Sequence, residues 1–146
     1  MGLIHELGMN IYLDIDGVLL ANDRQPAKYA KEFLQKVLKE YPENTYWLTT
    51  HCMTGDATEP IRNVGKYFDK ETILLFAMIK PTSWKKAKTE AIDLTQPFLW
   101  FDDDLYPDEE IVLREHGLTD NWIGVDLAKN ESQLLDFIRS FPLPKQ

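Results

Sequence analysis

Hydrophobic and polar positions change their spacing several times along the chain, and each change predicts an element. Asn10-Ile11-Tyr12-Leu13 is a short strand-forming run that stops at a carboxylate, Asp14. Leu20 to Gln25 reads as a loop, and Pro26 suits the first turn of a helix. From Ala27 to Glu40, Tyr29, Ala30, Phe33, Leu34, Val37 and Leu38 recur at helical spacing beneath a lysine-rich outer face. Tyr41-Pro42-Glu43-Asn44 ends that helix. Thr45-Tyr46-Trp47-Leu48-Thr49, β-branched and aromatic, predicts a second strand. Residues 51–56 form a polar loop, and a helix follows over Asp56–Tyr67 with Pro60 near its start. Thr72–Ile79 is a continuous apolar run that predicts a buried third strand, although Leu-Leu-Phe-Ala-Met is also compatible with a helix.

Lys80-Pro81-Thr82-Ser83 then supplies a loop and an N-cap for a short helix over Trp84–Ile92. Phe98-Leu99-Trp100-Phe101 predicts a fourth strand that runs into Asp102-Asp103-Asp104. A helix over Pro107–His116 stops at Gly117. Trp122–Val125 predicts a fifth strand, and Ser132–Phe141 a closing helix before Pro142 and Pro144. Strands alternating with helices predict an α/β fold: a three-layer, Rossmann-like parallel sheet with helices on both faces.

A chain of 146 residues can bury a core of this kind. No repeat, linker or low-complexity segment interrupts it, so residues 1–146 are expected to form one domain. Residues 1–8 read as a peripheral leader, with Met9 a candidate original start. A net charge of −8 argues against nucleic acid and anionic membrane surfaces as partners. The single cysteine, Cys52, cannot form an internal disulfide, which favours a reducing compartment. There is no apolar run of the ~20 residues that span a membrane and no secretion signal, so a cytoplasmic location is expected.

Chemistry enters at the strand ends. In a parallel sheet every strand finishes at one edge, where ligands bind. The first strand would bring Asp14 and Asp16 there, with Gly17 freeing the backbone to turn away. The second would bring Thr49 and Thr50, the fourth Asp102, Asp103 and Asp104, and lysines from the segment before the fourth strand would join them. Like charges so close need a cation, and Mg²⁺, a hard ion that takes carboxylates and phosphate oxygens, suits them. Singly, each group has a plainer reading: strand-end threonines, a solvated acidic turn, a solvent-facing lysine row. Convergence from segments far apart in sequence is the specific signal.

These stretches resemble the haloacid dehalogenase-like superfamily of hydrolases, over roughly residues 10–125. Asp14-Ile15-Asp16-Gly17 is similar to its first motif, Tyr46-Trp47-Leu48-Thr49 to its second, and Phe98-Leu99-Trp100-Phe101-Asp102-Asp103 to its fourth. The resemblance implies an aspartyl-phosphate route. Asp14 would be the nucleophile, Asp16 the general acid and base, and Thr49 a hydrogen-bond partner of the phosphate, with Gly17 and Thr50 beside it. Mg²⁺ would be held by Asp14, the backbone carbonyl of Asp16, Asp102 and Asp103. For the lysine, Lys88 is preferred, with Lys80 as the alternative and Lys85 third. An acid at position 16 favours phosphate-ester hydrolysis over carbon–halogen cleavage.

Little chain is available for a folded cap, so the site is expected to be open to a phosphorylated small molecule or macromolecule. Rival readings are a phospho-acceptor (receiver-type) module, a catalytically idle binding protein, and a sugar transferase using the DxD. The order of the motifs fits a receiver less well, and a transferase usually needs a longer chain. His51 and Cys52 could suggest a base and a nucleophile, or soft metal ligands, but no complete partner set accompanies them. The four tryptophans read as core, with Trp84 the one placed near enough to a helix start to reach the pocket rim. His5 and His116 read as surface residues.

Overall fold

The computed structural model describes residues 8–140. Four parallel strands form its sheet: β1 (Asn10–Leu13), β2 (Thr45–Trp47), β3 (Phe98–Asp102) and β4 (Trp122–Gly124), in the order β2-β1-β3-β4. Five α-helices accompany them: α1 (Ala30–Glu40), α2 (Glu59–Val64), α3 (Lys70–Phe76), α4 (Pro107–Glu115) and α5 (Gln133–Ser140). Short 3₁₀ turns lie at Gly65–Tyr67, Lys88–Ala91 and Thr119–Asn121. Among the described residues no helix is long and apolar enough to cross a membrane. The expected leader lies outside the described residues except for Gly8, as does the expected end of the closing helix at Phe141.

Alternation along the strands divides the core in two. Ile11 and Leu13 of β1 and Phe101 of β3 join one cluster, with Phe33, Leu34 and Val37 of α1, Phe76 of α3 and Leu134 of α5. Tyr12 of β1 and Phe98 and Trp100 of β3 join the other, with Leu48, Trp84 and Leu113 of α4. Aromatic edges lock the first cluster: Phe33 meets Phe101 at 5.4 Å between ring centres and 73°, and Trp47 meets Phe76 at 4.9 Å and 77°.

Two elements differ from the sequence reading. Thr72–Ile79 is not a third strand; Lys70–Phe76 is helical, so the sheet has four strands and not five. Asp69 caps the helix, its Oδ1 accepting the Thr72 N–H and hydroxyl, each at 2.8 Å. Helical spacing buries Thr72 and Phe76 while leaving Leu74 69% and Met78 53% exposed, an outcome that a strand buried on both faces would not allow. Trp84–Ile92 is likewise no α-helix. The Glu90 carboxylate takes the backbone N–H groups of Lys85, Lys86 and Ala87 at 2.9–3.0 Å, so the loop is satisfied without helical hydrogen bonds and only the 3₁₀ turn forms.

Candidate functional site

Parallel register sets the site. Leu13 lies opposite Phe101, so the next residues stand side by side, Asp14 just past β1 and Asp102 as the last residue of β3. The Asp14 N–H still donates to the Phe101 carbonyl at 3.0 Å, but the chain then coils around one carbonyl. Ile15 O accepts the N–H groups of Val18, Leu19 and Leu20 at 2.9–3.1 Å. Gly17, at φ 80°, makes that reversal, and the Asp103 carboxylate occupies the space a β-carbon there would need.

Asp14, Asp102 and Asp103 each offer a carboxylate oxygen within 4.8 Å of the others. Lys88 reaches the first two: its Nζ lies 2.6 Å from Asp102 Oδ2 and 3.3 Å from Asp14 Oδ2, and all three side chains are at most 10% exposed. Trp100, two residues before Asp102 and on the same face, donates its Nε1–H to Asp102 Oδ2 at 3.2 Å. The Ile15 N–H donates to Asp14 Oδ1 at 2.8 Å.

One ammonium does not offset three carboxylates. Burial, then the Asp102 charge, push the Asp14 carboxyl well above the ordinary range, against the pull of Lys88. Burial and the hydrogen bond and charge of Asp102 raise Asp103 to about 6. Burial pulls Lys88 down, yet Asp14 and Asp102 outweigh it and raise the ammonium above its usual value. Three hard oxygen donors short of positive charge fit a hard divalent cation such as Mg²⁺.

Of the sequence candidates, Asp14, Asp102, Asp103, Gly17 and Lys88 come together. Lys80 does not: its backbone runs beside Thr45–Trp47 on the outer side of β2, and its ammonium turns to Glu43 at 3.7 Å and to the Tyr46 ring. Lys85 is exposed, its N–H held by Glu90. Asp16 leaves the three-acid cluster because the reversal begins there. Its Oδ2 meets His51 Nε2 at 2.9 Å and its Oδ1 meets an Arg24 guanidinium nitrogen at 3.3 Å. Thr49 is fully covered, and its Oγ1 accepts the His51 N–H at 3.2 Å; Thr50 is the exposed threonine. Cys52 is buried, and burial pushes its thiol up, which does not suit a nucleophile.

Sequence reasoning missed three contributors. Trp100 was read only as core. His51 was paired with Cys52 and not with Asp16. Glu109, in the first turn of α4, is almost fully buried and accepts the Lys88 N–H at 2.9 Å and the Tyr106 N–H at 3.1 Å, so it fixes the turn that carries the lysine. Its position three residues after Tyr106, at the start of a helix, was the available signal.

Of the site residues, Gly17 and Asp103 line a cleft of about 660 Å³, together with Asn22, Asp23, Pro26 and Asp126. The architecture and site together define an α/β parallel-sheet protein with a buried acid–lysine cluster at the carboxyl edge of its strands. Comparisons with protein-family models, with curated proteins and with solved structures find no match to this chain.

Proposed function

We propose that the chain is a Mg²⁺-dependent phosphomonoester hydrolase of the haloacid dehalogenase-like kind, with a three-layer core and no large cap, working through an aspartyl-phosphate on Asp14. The observation that carries the reading is the set of Asp14, Asp102 and Asp103 around one another with Lys88 on two of them. The two apolar clusters, each fed by alternate residues of β1 and β3, support the three-layer arrangement.

In this reading an Asp14 carboxylate oxygen attacks phosphorus, and the bond to the leaving oxygen breaks as Asp16 gives that oxygen its proton. Water then attacks the acyl phosphate, Asp16 takes the proton, and inorganic phosphate departs with Asp14 restored. Lys88 favours the ionised form of Asp14 and meets the charge on the phosphoryl oxygens. Asp14, Asp102 and Asp103 would hold Mg²⁺, which would supply the further positive charge that phosphoryl transfer demands. Glu109 and Trp100 fix the groups that do this, one through the Lys88 backbone and the other through Asp102. The cleft has room for a small ester, and its acids Asp23, Asp126 and Glu131 disfavour a polyanionic one.

Hydrolysis of p-nitrophenyl phosphate with Mg²⁺ by the wild type and by Asp14→Asn tests the reading. Turnover that disappears in the variant supports it. Stable labelling of Asp14 by a small phosphodonor without release of phosphate would favour a phospho-acceptor module instead.

A further inference from the structure

Asp16 is held by two side chains, His51 at one carboxylate oxygen and Arg24 at the other. We propose that His51 is a positioning residue that fixes the Asp16 carboxyl as the acid for the leaving oxygen, with Arg24 as a weaker second hold. The inference rests on the hydrolase reading and names residues that reading does not need.

The geometry is specific. The turn that follows β2 is tied back by the His51 N–H to Thr49 Oγ1 at 3.2 Å and the Cys52 N–H to the Thr49 carbonyl at 3.0 Å, which sets where the imidazole starts. Its Nε2 reaches Asp16 Oδ2 at 2.9 Å, with the His51 side chain 22% and the Asp16 side chain 47% exposed. As the neutral tautomer with the proton on Nε2, His51 donates to Oδ2 whether Asp16 is ionised or protonated. Oδ1 is then the oxygen that carries the transferable proton. Arg24 stands 3.3 Å from Oδ1 in a pair open to solvent on both sides, a contact loose enough to give way to a substrate oxygen. Its backbone is in the left-handed region, φ 65°, a conformation a non-glycine residue keeps only where its surroundings demand it. Its guanidinium also lies 5.6 Å from the centre of the Tyr67 ring, which limits where it can swing.

The atom balance locates the consequence. When the bond from phosphorus to the leaving oxygen breaks, the electron pair stays on that oxygen and the Asp16 Oδ1 proton neutralises it. A nitrophenolate leaves readily without that proton; an alkoxide does not. A misplaced Asp16 therefore harms alkyl esters far more than aryl esters, a difference that simple loss of folding would not produce.

The test measures kcat on p-nitrophenyl phosphate and on glycerol phosphate for the wild type, His51→Ala, His51→Gln, Asp16→Asn and the His51→Ala/Asp16→Asn double variant. His51→Ala is expected to lose about 10-fold or more on the alkyl ester and at most about 3-fold on the aryl ester, within the range a general acid contributes. His51→Gln, which can still donate, should recover part of the loss. In the Asp16→Asn background the His51 change should cost nothing further. Equal losses on both esters, or full additivity in the double variant, would overturn the proposal while leaving the hydrolase standing. Absence of wild-type turnover on both esters overturns the hydrolase reading and this proposal with it.

Discussion

Asp14 sits where its charge is contested, a tension that the proposed nucleophile role would use. Burial and the neighbouring Asp102 oppose its ionisation, while Lys88 and the Ile15 N–H favour it. Asp14→Asn should therefore abolish turnover yet raise the stability of the metal-free protein, by about 1 kcal/mol; thermal melts in chelator check the second half. Asp16→Asn should cost about 10²–10⁴-fold in kcat on an alkyl phosphate. The pair Asp14 and Asp102 was legible in the sequence because each ends a short apolar strand, and strands of a parallel sheet finish together. The link from His51 to Asp16 was not, since it joins residues 35 apart through a turn whose shape no local pattern encodes.

At the scale of elements, α4 and the loop before β3 are fastened through one buried acid. Glu109→Ala would leave the Lys88 and Tyr106 N–H groups without their acceptor, at about 1–3 kcal/mol each where no water replaces it. Denaturant melts should show that loss, and kcat should fall along with it because the lysine turn loosens. In the apolar cluster that α1 joins, Phe33→Ala should cost about 3–5 kcal/mol, since its ring packs against Phe101. The same scale explains what misled the sequence reading. Thr72–Ile79 is apolar throughout, so its composition suits a strand, whereas the Asp69 cap and the outward Leu74 and Met78 disclose a helix only once depth is known. The Trp84–Ile92 stretch has helical spacing, but Glu90 satisfies three backbone donors by another route.

For the whole molecule, the acid cluster links stability to pH and, on the proposed reading, to divalent cations. Asp103 titrates near 6 in the folded chain against an ordinary 3.8, so between those values the folded state holds a proton that the unfolded state has released. Stability of the metal-free protein should thus fall as pH rises through about 4 to 6, and the upward shift of Asp14 acts in the same direction. Above that window a cation no longer has to displace the Asp103 proton. Mg²⁺ should raise the melting temperature more at pH 7.5 than at pH 5, with about 2.7 kcal/mol gained at a hundred times its dissociation constant; melts at both pH values with and without chelator check the sign. The most direct measurement of the central claim is acid-quenched turnover of a radiolabelled phosphate monoester with Mg²⁺, followed by peptide mapping. The account predicts a base-labile label on Asp14 that rises and decays as phosphate is released, and that needs Mg²⁺. Turnover with no label on Asp14, under quench times short enough to trap an intermediate, would contradict it.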